Sequence, residues 1–318
     1  ERDPFKRGKR ILRLMRNKGV FVKPCPGTKE YVCCGLLIIH IGQGCPMDCR
    51  YCALQAYFNR PVLEVFVNIE EMLAGVESHI RAHPGRFHRF CTGEFTDSLA
   101  LDHITGMTSR LVKLVSGFSN ASLEIKTKTT AVDHLLDLNP RGRIILSFSV
   151  NAERVSVRDE IRAASIGDRV LAAARAERHG YRLGFHFDPI IPFHGWEQEY
   201  YRTIDTIFAN VNPSKVAWIS LGVLRFVPDL KQIALTRFGP VDYFHDGFIR
   251  GLDGKSRLPV TRRIEIYRRL ADRIRAHAPQ TIIYLCMESP HVWQESLDMI
   301  MESNEQLAAL LDVGAAGR

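Results

Sequence analysis

The stretch Cys45-Pro-Met-Asp-Cys49-Arg-Tyr-Cys52 separates three thiols by three residues and then by two. Three thiolates on one tight loop can ligate three irons of a [4Fe–4S] cube. With no fourth ligand from the protein, one iron stays open and can chelate the amino and carboxylate groups of S-adenosylmethionine. An electron from such a cluster splits the sulfonium and yields a 5′-deoxyadenosyl radical. The cofactor supplies that chemistry, and the protein supplies position and shielding. A structural zinc site competes with this reading. Zinc favours paired Cys-x-x-Cys knuckles or Cys and His pairs, and no second knuckle follows downstream.

The chain has eight cysteines, and six fall between Cys25 and Cys52. In a chain of intracellular appearance this pattern points to metal or redox chemistry rather than a disulfide scaffold. Cys25, Cys33, Cys34 and Cys286 admit three readings: a thiol that donates a hydrogen atom, a second metal site, or small buried apolar residues. Cys91 stands apart in a strand candidate.

The elements that must position these residues alternate. Strand-like apolar runs fall at 35–41, 87–91, 122–126, 144–150, 183–187 and 216–221. Helical patterns fall between them at 69–82, 102–115, 131–138, 166–179 and 197–209. This spacing predicts repeated βαβ units around a buried parallel sheet. Six units fall short of the eight of a complete barrel. The expected fold is therefore α/β, a partial (β/α)6 barrel over 34–225. A basic N-terminal extension over 1–33 and a C-terminal extension over 226–318, packed on the barrel, flank it. The latter holds a helix at 261–278, an apolar run at 281–286 and a last helix at 292–311. Polar residues cluster just past the strand ends: Thr92-Gly93-Glu94, Lys128, Ser149 with Asn151, and Asp188. Ligands of parallel α/β folds sit at that end.

Composition limits the classes further. The 318 residues are 46% hydrophobic and 25% charged, as in an ordinary globular protein. No run approaches the length of a membrane span, and the basic start lacks the apolar core of a secretory signal. A cytoplasmic protein with no membrane partner is expected. The net charge is +8. One basic group is Arg2, Lys6, Arg7, Lys9, Arg10, Arg13, Arg16 and Lys18; a second is Arg257, Arg262, Arg263, Arg268, Arg269, Arg273 and Arg275. Such patches can hold the phosphates of DNA or another nucleic acid, or can be merely solvated.

The cysteine spacing, the aromatic Tyr51 before the third Cys and the place after the first strand resemble the radical S-adenosylmethionine superfamily. More narrowly, the chain resembles the spore photoproduct lyase family, radical enzymes that reverse a methylene-bridged thymine dimer in DNA. The segments carrying this are Gly44-Cys45…Cys49-Arg-Tyr-Cys52-Ala-Leu-Gln55, Phe95-Thr-Asp97…Leu101-Asp-His103, Thr127-Lys128…Val132-Asp-His-Leu-Leu136, Phe148-Ser-Val-Asn-Ala152 and Gly195-Trp-Glu197. The resemblance implies a [4Fe–4S] cluster on Cys45, Cys49 and Cys52, with S-adenosylmethionine beside it. It also implies an external electron donor such as flavodoxin or ferredoxin. It places Tyr51 near the adenine and Gly93 and Glu94 near the methionyl ammonium. Lys128 falls near the carboxylate, and Ser149 and Asn151 near the ribose and methionine. Asp97 matches the Asp after the family's catalytic Cys-Thr-Ser, and Arg225-Phe226 matches a pair on the substrate side.

Two positions depart from the family. Glu94 stands where the lyases carry the cysteine that gives a hydrogen atom to the thymine radical, and a carboxylate cannot do this. Ala53 stands where they carry a tyrosine. Tyr51, Glu94, Cys91 and Cys34 are the candidates for catalytic roles. A carbon–carbon lyase acting on damaged DNA is the first expectation. The alternatives are a radical enzyme acting on RNA, a peptide or a small molecule, and a metal-containing nucleic-acid-binding module without enzymatic activity.

Overall fold

All six residues of Ile144–Ser149 are buried. A parallel strand in mid-sheet, covered on one face by helices and on the other by the barrel interior, requires that. The computed structural model describes residues 3–28 and 30–317; Arg2 of the first basic group lies outside them. Eight strands form the main sheet. They are β1 (Val22–Pro24), β2 (Leu37–Ile39), β3 (His88–Cys91), β4 (Ala121–Thr127), β5 (Ile144–Ser149), β6 (Arg182–Ile190), β7 (Val216–Val223) and β8 (Ile283–Leu285). They neighbour one another in strict chain order, with β1 and β8 at the two edges. β1 runs antiparallel to β2. The six remaining junctions are parallel. The result is an open, curled half-barrel.

Helices cover the outer face: α1 (Ile69–Ala82), α2 (Met107–Val115), α3 (Ile166–Arg178), α4 (Trp196–Asn210), α5 (Val260–His277) and α6 (Asn304–Ala316). In α1 the buried residues are Met72, Val76 and Ile80, four apart on one stripe. None of the described helices is long and apolar enough to cross a membrane.

Three expected helices differ. The 102–115 helix is split at Gly106, which sits at φ 56° between Asp102–Thr105 and α2. The 131–138 pattern shrinks to a single 3₁₀ turn, Asp133–Leu135. The last helix is two helices, Pro290–Leu297 and α6. Asp298 ends the first in the left-handed region, and a capping box between Ser303 and Gln306 starts the second.

Both extensions feed the sheet. β1 comes from 1–33 and β8 from 226–318. A second small sheet joins Arg225–Phe226 to Ser256–Arg257 and Ile249–Arg250, and this brings Lys255 to the barrel mouth.

Candidate active site

Alternation along β4 gives one face to Leu123 and Ile125 and the other to Ser122, Glu124 and Lys126, with Lys128 following in register. Glu124 lies inside the barrel. Its Oε1 accepts from Ser147 Oγ at 2.6 Å and from Trp218 Nε1 at 3.2 Å, and meets His186 Nε2 at 2.6 Å. Burial works against the Glu124 charge; His186 and Lys126 outweigh it and hold its carboxyl well below the usual range.

Above this floor lies a cavity of about 570 Å³. One part of its lining is Cys45, Cys49, Cys52, Tyr51, Lys128 and Ser149; another is Glu94, Lys126, Asp188, Arg225, Phe226 and Lys255.

The cysteine loop is held from several sides. Gly44 has φ 79°, and a Cβ there would lie 2.6 Å from the Val62 carbonyl oxygen, so only glycine fits. Cys49 pairs with Glu160 in a short antiparallel bridge. The Gln55 amide donates to the carbonyls of Cys49, Arg50 and Cys52 at 3.1, 3.2 and 3.3 Å. Lys9 donates to the Cys45 carbonyl at 3.1 Å and pairs with Asp48 at 3.2 Å. Arg237 reaches Asp48 at 3.0 Å and Asp3 at 3.1 Å, and also bonds Gln55.

All eight cysteines are free thiols. Burial pushes the Cys45 thiol up to about 12 and raises Cys49 and Cys52 as well. Among the described residues, no three His, Cys, Asp or Glu side chains surround a centre suited to a single ion. A cube takes each thiolate at its own iron, and three thiols lining one cavity fit that demand.

Beside the thiols, Tyr51 donates its hydroxyl to Glu160 Oε1. Lys128 Nζ meets the same oxygen at 2.9 Å and stands 5.8 Å from the Tyr51 ring centroid. Arg169 pairs with Glu160 Oε2 at 2.6 Å. Burial opposes the Glu160 charge, but Lys128 and then Arg169 outweigh it and hold the carboxyl at about 2. Asp97 ties the β3 loop to the end of β4. It accepts from the backbone N–H of Leu99, Ala100 and Lys128 at 3.0, 2.9 and 2.8 Å, and from Thr127 Oγ1 at 2.8 Å.

Of the residues singled out in the sequence, Cys45, Cys49, Tyr51, Cys52, Gly93, Glu94, Lys128 and Ser149 line the cavity together. Asn151 does not. Its side chain is fully buried, donating to the Pro189 carbonyl at 3.0 Å and accepting from Tyr200 Oη at 2.5 Å. Cys91 is also fully buried, in a small apolar cluster with Leu36 and Ile38 against which Cys25 and Cys34 pack. Its sulfur accepts the Gly93 N–H at 3.3 Å, and neither Cys91 nor Cys34 lines the cavity. Cys286 lies 3.2 Å from Arg225, which pairs with Asp188 at 3.1 Å.

The second basic group is spent internally. Arg257 pairs with Asp253, Arg263 with Glu288, Arg268 with Glu295, Arg269 with Glu197 and Arg273 with Asp205, while Arg262 pairs with Glu265. Arg275 donates to the Leu297 carbonyl. Each described member of this group thus already has an internal partner. In the first group, Lys6, Arg7, Arg10 and Lys18 are exposed, whereas Lys9, Arg13 and Arg16 are paired.

The family model described as "Spore photoproduct lyase" matches residues 28–240. The chain belongs to the spore photoproduct lyase family. A spore photoproduct lyase of Geobacillus sp. (strain Y412MC61) is 28% identical over 63% of the chain and 60% of its own length. That of Bacillus subtilis (strain 168) is 32% identical over 51% and 48%. The chain thus spans only about half to three fifths of the curated relatives it matches. Solved spore photoproduct lyases share the fold. A mutant with bound AdoMet and dinucleoside spore photoproduct has a TM-score of 0.78 and 23% identity. A second structure, a spore photoproduct lyase complexed with dinucleoside spore photoproduct, has a TM-score of 0.79 and 22% identity. Both likenesses cover 88% of this chain and 84% of theirs.

Sequence reasoning missed Glu160, Lys126 and Arg237, and read Lys9 only as part of a basic group. Lys126 was detectable, since it stands two residues before Lys128 in a strand. Glu160 lies in a polar stretch with no periodicity to mark it.

Proposed function

We propose that this spore photoproduct lyase relative is a radical S-adenosylmethionine enzyme of the lyase type that acts on a DNA photoproduct. The supporting observation is the convergence of Cys45, Cys49 and Cys52 on the cavity that also receives Tyr51, Lys128 and Ser149. The three thiols would hold a [4Fe–4S] cluster. When bound, the cluster supplies the electron that splits the S-adenosylmethionine sulfonium, so that a hydrogen atom can be taken from a substrate.

The chain's own residues do the positioning. Glu160 holds the Lys128 ammonium and the Tyr51 hydroxyl on one oxygen. This fixes a cation for the methionyl carboxylate and an aromatic face for the adenine. Ser149 offers a hydroxyl to the ribose. The recessed cavity, once filled by substrate, would keep water from a reactive intermediate. A damaged pyrimidine pair leaves the base stack more cheaply than an intact one and could enter. The exposed Lys6, Arg7 and Arg10 would hold phosphates, and an external flavodoxin- or ferredoxin-like protein would deliver the electron.

Glu94 in the cavity, with Cys91 buried away from it, favours a second reading in which the radical chemistry acts on RNA, a peptide or a small molecule. The deciding experiment supplies reconstituted protein with dithionite, S-adenosylmethionine and ultraviolet-irradiated DNA carrying the photoproduct. Recovery of thymine supports the first reading. Cleavage of S-adenosylmethionine without thymine recovery supports the second.

A further inference from the structure

Seven charged side chains line the cavity, and five have partners that absorb their charge or their hydrogen bonds. Lys128 is held by Glu160, Arg225 and Asp188 hold each other, and Lys255 is held by Asp253. Asp97 accepts three backbone N–H groups and the Thr127 hydroxyl. Among the described residues the Lys126 ammonium and the Glu94 carboxylate alone make no hydrogen bond or ion pair within this lining.

Lys126 is not a surface lysine that wandered inward. Its register on β4 fixes its direction, two residues above Glu124. Its stem crosses Gly93, where a Cβ would lie 2.6 Å from the Lys126 Cβ. Glycine at 93 therefore makes room for this lysine. Burial alone lowers the Lys126 pKa; the negative groups around it, among them the carboxylates of Glu124 and Glu94, more than offset this and raise it. An unpaired cation in a poorly hydrated site costs free energy that a ligand acceptor can recover.

The neighbouring charge selects the ligand. Two free cations would suit a phosphate. One free cation beside one free carboxylate is neutral as a pair and repels an anion from half of the subsite. The complementary group is uncharged, with an N–H donor next to a carbonyl acceptor. The lactam or imide edge of a pyrimidine has that pattern.

We propose that Glu94 and Lys126 form a base-reading subsite: Glu94 accepts the imide N3–H of a flipped-out pyrimidine, and Lys126 donates to the adjacent carbonyl oxygen. The inference rests on the reading of this cavity as a substrate site. It gives Glu94 a recognition role where its carboxylate has no hydrogen-atom chemistry.

The test is anaerobic equilibrium binding to reconstituted protein in the presence of S-adenosylmethionine. The probes are the dinucleoside spore photoproduct, its N3-methylated form, uridine and N3-methyluridine. The expected result is a preference of roughly tenfold or more for the unmethylated member of a pair, because methylation replaces a hydrogen bond to the Glu94 carboxylate with an apolar group facing it. Glu94→Ala should abolish the preference. Lys126→Met should weaken both members of a pair, and both variants should keep the wild-type iron content per chain after reconstitution, which reports that they fold. The preference seen with uridine but no binding of the photoproduct would sustain the subsite and refute the photoproduct reading. Equal binding of both members of each pair, binding of no probe, or a preference that survives in folded Glu94→Ala would overturn the subsite.

Discussion

The Lys128 ammonium and the Glu160 carboxylate meet at 2.9 Å, and neither residue was brought near the other by sequence proximity. Glu160 is fully buried and carries Tyr51 and Arg169 as well. A buried carboxylate that neutralises two cations is costly to remove, because each partner is left with an uncompensated charge. Glu160→Gln should therefore lose ~3–5 kcal/mol of stability, measured by urea unfolding, and should weaken S-adenosylmethionine binding through a misplaced Lys128.

The same carboxylate sets a pH dependence. Its pKa is held at about 2 in the folded protein against an ordinary 4.5. A depressed carboxyl stabilises the fold above its unfolded value, and the contribution fades as pH falls through the folded one. Stability in wild type should decline between about pH 4.5 and pH 2. Glu160→Gln should show a shallower decline over that window in unfolding curves taken at several pH values. Identical slopes would mean that Glu160 is not the group responsible.

Much of the architecture was legible in the chain. The strands at 87–91, 122–126, 144–150, 183–187 and 216–221 are apolar runs bounded by polar turns, and they fold as β3 to β7 with ends shifted by a few residues at most. Propensity failed where one residue decides. Gly106 and Asp298, both in the left-handed region, each cut a helix that periodicity alone would continue. The thiol loop was legible because its spacing is chemistry. Glu160, Lys9 and Arg237 were not, because they reach the loop from about 110, 40 and 190 residues away through tertiary packing, and local patterns carry no trace of that.

Arg237 closes the loop from outside, with two carboxylates and the Gln55 amide oxygen as its partners. Arg237→Ala leaves Asp48 with Lys9 and the more distant Arg162. The iron bound per chain after reconstitution should fall, at a stability cost of about 1–3 kcal/mol. Unchanged iron content would show that the loop holds its shape without this clamp.

The two basic groups should behave differently toward DNA. Reversing Lys6, Arg7 and Arg10 to Glu should weaken binding and flatten its salt dependence, by about one unit of slope for each phosphate no longer neutralised. Reversing Arg268 and Arg269, which already pair with Glu295 and Glu197, should leave the slope unchanged. Fluorescence anisotropy with one DNA duplex over a salt series separates the outcomes. Equal effects from both sets would contradict this division of the charges into exposed and internally paired.

The central claim is that Cys45, Cys49 and Cys52 together hold the cluster at which S-adenosylmethionine is cleaved. Its most direct test is 5′-deoxyadenosine formation by anaerobically reconstituted, dithionite-reduced protein, compared with single Cys→Ala variants at the three positions. The account predicts product from the wild-type chain and none from any of the three variants, with Cys91→Ala retaining it. No 5′-deoxyadenosine from iron-loaded wild-type protein, or product persisting in any one of the three loop variants, would contradict it.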